Sequence, residues 1–153
     1  MTIVAVCQVR LAVADPEGNL AAAAAAVGQA AAAGAGAGLV VLPELCDSGY
    51  VFSSAAEAAR LASPAADCAA LRQWQALARA HRTVIVGGFC ELGGDGRLYN
   101  SAALVDESGV RAVYRKAHLW DAEKLVFTPG SAPPPLVGLP AGRVAILICY
   151  DLE

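Results

Sequence analysis

The chain has 153 residues, 57% of them hydrophobic and 16% charged, with a net charge of -3. That length supports one domain with its own core, and so apolar a composition excludes a disordered chain. The mild acidity argues against a nucleic-acid or anionic-membrane binder, since both need a basic surplus.

Residues 2–9 alternate β-branched and small side chains and read as a first strand. Asp15-Pro16-Glu17 is a helix start, with Asp as N-cap, Pro at the first helical position and an acid in the first turn. An alanine-rich helix follows, ended by the run Gly34-Ala-Gly-Ala-Gly38. Residues 39–42 are a continuous apolar run of the kind buried on both faces of a sheet, closed by Pro43. The uncharged stretch 20–42 has the length of a membrane span, but it is mostly Ala and Gly with Gln29 inside. A surface helix, a glycine turn and a strand account for it better. The glycine run follows a helix and precedes a strand, the reverse of a dinucleotide fingerprint.

A loop with Gly49, Tyr50 and Phe52 leads to a second helix over residues 65–81, where Leu71, Trp74, Leu77, Ala78 and His81 recur at helical spacing. Residues 83–86 read as a buried strand ended by Gly87-Gly88. Residues 89–92 and 99–105 flank a glycine-rich turn and predict a hairpin. A strand over 110–114 follows, then a long loop marked by Pro129-Gly130 and the prolines at 133–135. A last apolar strand spans 144–148. Alternating helices and apolar strands predict an α/β layered fold.

The five cysteines are odd in number and show no C-x-x-C pair, so reduced thiols in a cytoplasm are expected rather than a disulfide framework. His81 and His118 have no ligand-spaced partners, and no metal or other cofactor is expected. The N-terminus lacks the basic region of a signal peptide.

Three reactive residues stand just past predicted strands: Glu44, Lys116 and Cys149. The C-terminal ends of strands are where α/β sheets build sites. Lysine is scarce, with two against nine arginines, so Lys116 beside Arg115 suggests a place that wants a compact point charge. An ammonium about 4 Å from a thiolate is worth about 4 kcal/mol at an effective dielectric of 20. The same ammonium can meet the oxyanion of a tetrahedral intermediate. A glutamate in reach can take the thiol proton and later activate water. The three side chains are a sufficient kit for acyl transfer to water through a thioester.

Val40-Val-Leu-Pro-Glu44-Leu45, Tyr114-Arg-Lys116-Ala-His118-Leu119 and Ile148-Cys149-Tyr150-Asp151 resemble, in order, the three signature blocks of the nitrilase superfamily, the carbon–nitrogen hydrolases. Tyr99-Asn100-Ser101-Ala102 and Phe127-Thr128-Pro129-Gly130 match its connecting pattern, and the resemblance runs from about residue 3 to the end. It implies Cys149 as nucleophile, Glu44 as general base and Lys116 as stabiliser of the tetrahedral intermediate. Glu123 matches a second glutamate that helps position substrate, and Tyr150 would lend its backbone N–H beside the nucleophile. Tyr150-Asp151 after the cysteine is closer to the amidase and carbamoylase branches than to nitrile-splitting members. A small amide or N-carbamoyl substrate is therefore expected, with no nucleic-acid or membrane partner, and the family suggests homo-oligomers.

The implied fold is the first part of a four-layer αββα sandwich. Members of the family continue past the Cys149 motif into a second half, so residues 1–153 are expected to be a hydrolase domain incomplete at its C-terminus. On its own such a chain is expected to be poorly stable and weakly active. The competing expectation is a catalytically dead fragment or binding module that keeps half of the fold. His118, Cys7, Cys46, Cys68 and Cys90 are expected to be structural.

Overall fold

The structure, a computed structural model, describes residues 2–33, 36–140 and 142–153. Five strands form one mixed sheet in chain order: β1 (Val4–Val6), β2 (Leu39–Val41), β3 (Val84–Leu92), β4 (Leu98–Asp106) and β5 (Gly109–Arg115). β1, β2 and β3 are parallel, and β3, β4 and β5 are antiparallel. Parallel neighbours need crossovers. Helix α1 (Pro16–Ala32) joins β1 to β2, while α2 (Ala55–Leu61) and α3 (Ala69–His81) lie between β2 and β3.

Asp15 caps α1 by accepting the Gly18 N–H at 3.0 Å, and Pro16 takes the first helical position. Gly34, where the sequence places the end of this helix, lies with Ala35 outside the described residues. The sequence reading leaves α2 as loop, although Ser54-Ala-Ala-Glu57 has the spacing of a capping box. The Glu57 N–H donates to Ser54 Oγ at 3.2 Å, and the Glu57 carboxylate accepts from the Ser53 N–H at 2.6 Å. The third helix begins at Ala69 rather than 65, because extended backbone at Cys68 separates it from a 3-10 turn over Ala65–Asp67.

Gly87-Gly88 does not end a strand, as the sequence reading has it; β3 runs straight through both glycines. Their missing side chains let neighbours close in. A Cβ on Gly87 would stand 2.6 Å from the Trp74 ring, and one on Gly88 would stand 2.4 Å from the Leu45 nitrogen.

Alternate residues of the sheet face two layers. On one side Ile85, Phe89, Ala103 and Val105 pack against Ala23 and Val27 of α1 and Leu71, Trp74 and Ala78 of α3. On the other, Ala102, Leu104 and Tyr114 meet a hairpin of β6 (Leu136–Leu139) and β7 (Gly142–Ala145). β6 falls in what the sequence reads as loop. β7 is shorter than the predicted strand 144–148, because Ile146 and Ile148 leave the hairpin to bury themselves on the sheet. At the β1 end of the sheet Val4 and Val6 are exposed and Leu39 and Val41 are only half-buried. The expectation that the 39–42 run is covered on both faces therefore holds for Val40 and Leu42 alone. No helix among the described residues is long and apolar enough to cross a membrane.

Candidate active site

Glu44 follows β2 on a segment that crosses β3 at close quarters. The Gly88 N–H donates to the Pro43 carbonyl at 3.0 Å, and the Cys46 N–H donates to the Gly88 carbonyl at 2.7 Å. Leu45 takes a left-handed conformation with φ 46°, which turns the chain directly after Glu44. Gly88 is the residue that permits this approach.

Lys116 follows β5. Its N–H donates to the Asn100 carbonyl at 2.9 Å, and its own carbonyl accepts the Gly130 N–H at 2.8 Å. The side chain is fully buried, and its Nζ lies 2.7 Å from Glu44 Oε1 and 2.7 Å from Glu123 Oε2. An unpaired buried ammonium would carry a heavy desolvation cost. Burial indeed pulls its pKa down, but hydrogen bonds to Glu123 and Glu44 and the charges behind them more than reverse that, raising it to about 12. Lys116 is therefore a permanent cation and a hydrogen-bond donor, and not a base.

Glu123 sits in a 3-10 turn, Asp121–Leu125, and is buried. Its Oε2 also accepts the Trp120 N–H at 2.8 Å, which ties the carboxylate to the start of its own turn. The side-chain nitrogen of Asn100 on β4 donates to Glu44 Oε1 and to Glu123 Oε1, each at 2.7 Å. Glu44, Lys116, Glu123 and Asn100 thus close a ring drawn from four separate segments. Read alone, Lys116 would be a solvated lysine and Glu123 a helix-surface acid; both are buried.

Cys149 opens a 3-10 turn, Cys149–Leu152, in a left-handed conformation with φ 47°. It is the exposed member of the five free cysteines. With Glu44, Gly88, Ala102 and Ile148 it lines a cavity of about 130 Å³. Tyr50 stands in charge range of the whole group. Burial first, then Glu44, Glu123 and Cys149, push its hydroxyl up to about 12, with Lys116 opposing. Tyr150, next to Cys149, is 41% exposed. His118 is bound through Nδ1 to Asp151 Oδ1 at 3.1 Å. Burial, with lesser contributions from neighbouring Asp47 and other thiols, pushes Cys46 and Cys90 up to about 12 and leaves them unreactive.

Sequence reasoning missed three contributors. The sequence reading gives Asn100 no role, although an Asn inside a strand is itself a signal, since the residue is depleted there. It takes Tyr50 only as a loop residue. It takes Asp151 as a branch marker, yet the Asp151 carboxylate binds the backbone on both sides of the site.

The family profile described as Carbon-nitrogen hydrolase matches residues 3–153. The chain belongs to the carbon-nitrogen hydrolase family. Within that family it is 38% identical over 115 residues to an (R)-stereoselective amidase of a Pseudomonas species, covering 75% of this chain and 40% of the relative. It is 35% identical over 151 residues to a nitrilase of Pyrococcus abyssi, covering 99% and 56%. The crystal structure of an amidase from a Nesterenkonia species superposes with a TM-score of 0.80 at 30% identity, covering 99% of this chain and 57% of that one. This carbon-nitrogen hydrolase chain therefore spans roughly half the length of the relatives it matches.

Proposed function

We propose that this carbon-nitrogen hydrolase is a cysteine-dependent amidase acting on small amide or N-carbamoyl compounds. The observation that carries the reading is the buried Lys116 ammonium clamped between Glu44 and Glu123, with Glu44 and Cys149 on the wall of one cavity. Glu44 Oε1 is occupied by Lys116 and Asn100, so its second oxygen is the one left to act as base. It takes the proton of the Cys149 thiol as the sulfur attacks the carbonyl carbon. Lys116 and the Tyr150 N–H stabilise the resulting oxyanion. The carbon–nitrogen bond breaks as Glu44 returns the proton to the departing ammonia or amine, leaving a thioester on Cys149. Glu44 then deprotonates a water that attacks the thioester, and the acid and free thiol are released. Glu123 holds Lys116 and the substrate amide in place. No cofactor enters this sequence.

The amidase from Nesterenkonia supports the assignment of Cys149, since one of its structures carries acrylamide added at the active site cysteine. A cavity of about 130 Å³ suits a small acyl group. The five unpaired thiols suit the cytoplasm. Slow turnover by these 153 residues is part of the proposal. The test is therefore a single-turnover one. Wild-type protein mixed with short aliphatic and aryl amides and quenched rapidly should carry an acyl mass on the peptide containing Cys149 and release ammonia, whereas Cys149→Ala and Glu44→Gln should give neither. Absence of both ammonia and adduct across the amide and N-carbamoyl panel would reject the reading.

A further inference from the structure

We propose that Asn100 is the positioning residue of this site: its amide nitrogen holds Glu44 and Glu123 together and leaves Glu44 Oε2 as the oxygen that takes the Cys149 proton. This rests on the amidase reading for the role of Glu44, and on geometry for the rest. Asn100 is 1% exposed. Both hydrogens of its Nδ2 are used, one on each carboxylate, and its backbone carbonyl accepts the Lys116 N–H. One residue thus touches all three charged members of the ring.

The orientation of the amide follows from charge. Glu44 and Glu123 set two carboxylates against the single cation Lys116. Turning the amide over would set Oδ1 at 2.7 Å from two carboxylate oxygens, which repel it. The N–H groups therefore face the carboxylates, and Oδ1 is left buried without a partner. An orphaned buried acceptor is unfavourable, and it persists here because two charge-assisted bonds on the other side of the amide outweigh it. Glu123 has both oxygens engaged, by Asn100 on one and by Lys116 and Trp120 on the other. Glu44 has only Oε1 engaged. The asymmetry between the two carboxylates, one saturated and one with a free oxygen, is what makes Glu44 the base and Glu123 the anchor.

The charged and titratable groups around Asn100 are Glu44 after β2, Glu123 in its turn, Lys116 after β5 and the raised Tyr50 hydroxyl, with the neutral Cys90 thiol opposite on β3. Asn100→Asp puts a third carboxylate against two, whereas Asn100→Leu removes the donors without adding charge. At pH 8 the Asp variant should melt at least about 5 °C below the Leu variant. That gap should close by pH 5, as the new carboxyl takes up a proton. A residue that merely fills space would give two variants with the same, pH-independent loss, and that result overturns the proposal. Should the Asp variant fail to fold, the wild-type chain decides. Its two Asn100 side-chain amide protons should exchange with solvent at least about 100-fold more slowly than those of exposed Gln8 in nitrogen-15 NMR spectra. Comparable exchange overturns the proposal. Neither readout involves turnover, so a chain that gives neither ammonia nor a Cys149 adduct refutes the amidase reading and leaves this result standing.

Discussion

Asp151 Oδ1 accepts the backbone N–H of His118 at 2.9 Å. The same oxygen takes the Ala117 N–H at 3.2 Å, and Oδ2 takes the Ile148 N–H at 3.1 Å. One carboxylate thus straps the turn that carries Cys149 to the segment just after Lys116. Burial works against its charge, but the N–H groups of His118 and Ile148, the Tyr114 hydroxyl and the His118 ring more than offset it and hold the carboxyl below its ordinary range. A depressed carboxyl contributes stability above its unfolded value of 3.8, and that stability is lost as pH falls through the folded value. Asp151→Ala should therefore lower stability by about 1–3 kcal/mol at pH 7, with the deficit shrinking in acid below about pH 4. Urea melts at pH 7 and pH 3 check it; an equal deficit at both would show that the charge is irrelevant to the strap.

Asp47 gives the opposite sign. Its carboxyl is buried near Cys46 and Cys90, and burial outweighs the hydrogen bonds from the Cys90 N–H and Ser48, raising it from 3.8 to about 6. A raised carboxyl binds its proton more tightly in the folded chain, so it destabilises above about pH 6 and the penalty fades on acidification towards 3.8. Asp47→Asn keeps an oxygen for the Cys90 N–H and removes the charge. It should gain up to about 3 kcal/mol at pH 7 and almost nothing at pH 4. Thermal melts of the two proteins across that window measure the difference.

Much of this was legible in the sequence, because α1 announces itself by Asp15-Pro16, the β3–β4 hairpin by its glycine turn, and the apolar strands by composition. Glu44, Lys116 and Cys149 are legible because each stands just past an apolar run that reads as a strand, although the observed β7 already ends at Ala145. What stayed hidden depends on tertiary approach. Gly87-Gly88 reads locally as a strand end, and only the Trp74 ring and the Leu45 nitrogen lying on them explain why the strand continues. The bridging role of Asn100 likewise needs Glu44 and Glu123, which are 56 and 23 residues away. β6 has no alternation strong enough to compete with the prolines before it.

Gly88 offers a direct test of that approach. A Cβ there would stand 2.4 Å from the Leu45 nitrogen and 2.7 Å from Glu44 Cα, both backbone atoms that cannot swing aside. Gly88→Ala should destabilise by about 1–3 kcal/mol and displace Glu44 from Lys116. Gly94, whose Cβ would meet nothing within 4 Å, supplies the control. Gly94→Ala should melt with wild type. Equal behaviour of the two variants in calorimetry would mean that the Glu44 segment is not seated on β3.

Thiol labelling separates the five cysteines by environment. Cys149 is exposed, Cys46, Cys68 and Cys90 are buried, and Cys7 is half-buried. Burial raises the Cys7 thiol, and it pushes Cys46 and Cys90 to about 12, so few of these are thiolate at pH 8. Iodoacetamide at pH 8 should modify Cys149 at least about 10-fold faster than any other thiol, as read by peptide mass mapping. A competing small amide that occupies the cavity beside Glu44 should slow that reaction and leave Cys7 untouched. Labelling spread evenly over all five would mean that the sheet opens in solution, because Cys46 and Cys90 become reactive only when their burial is lost.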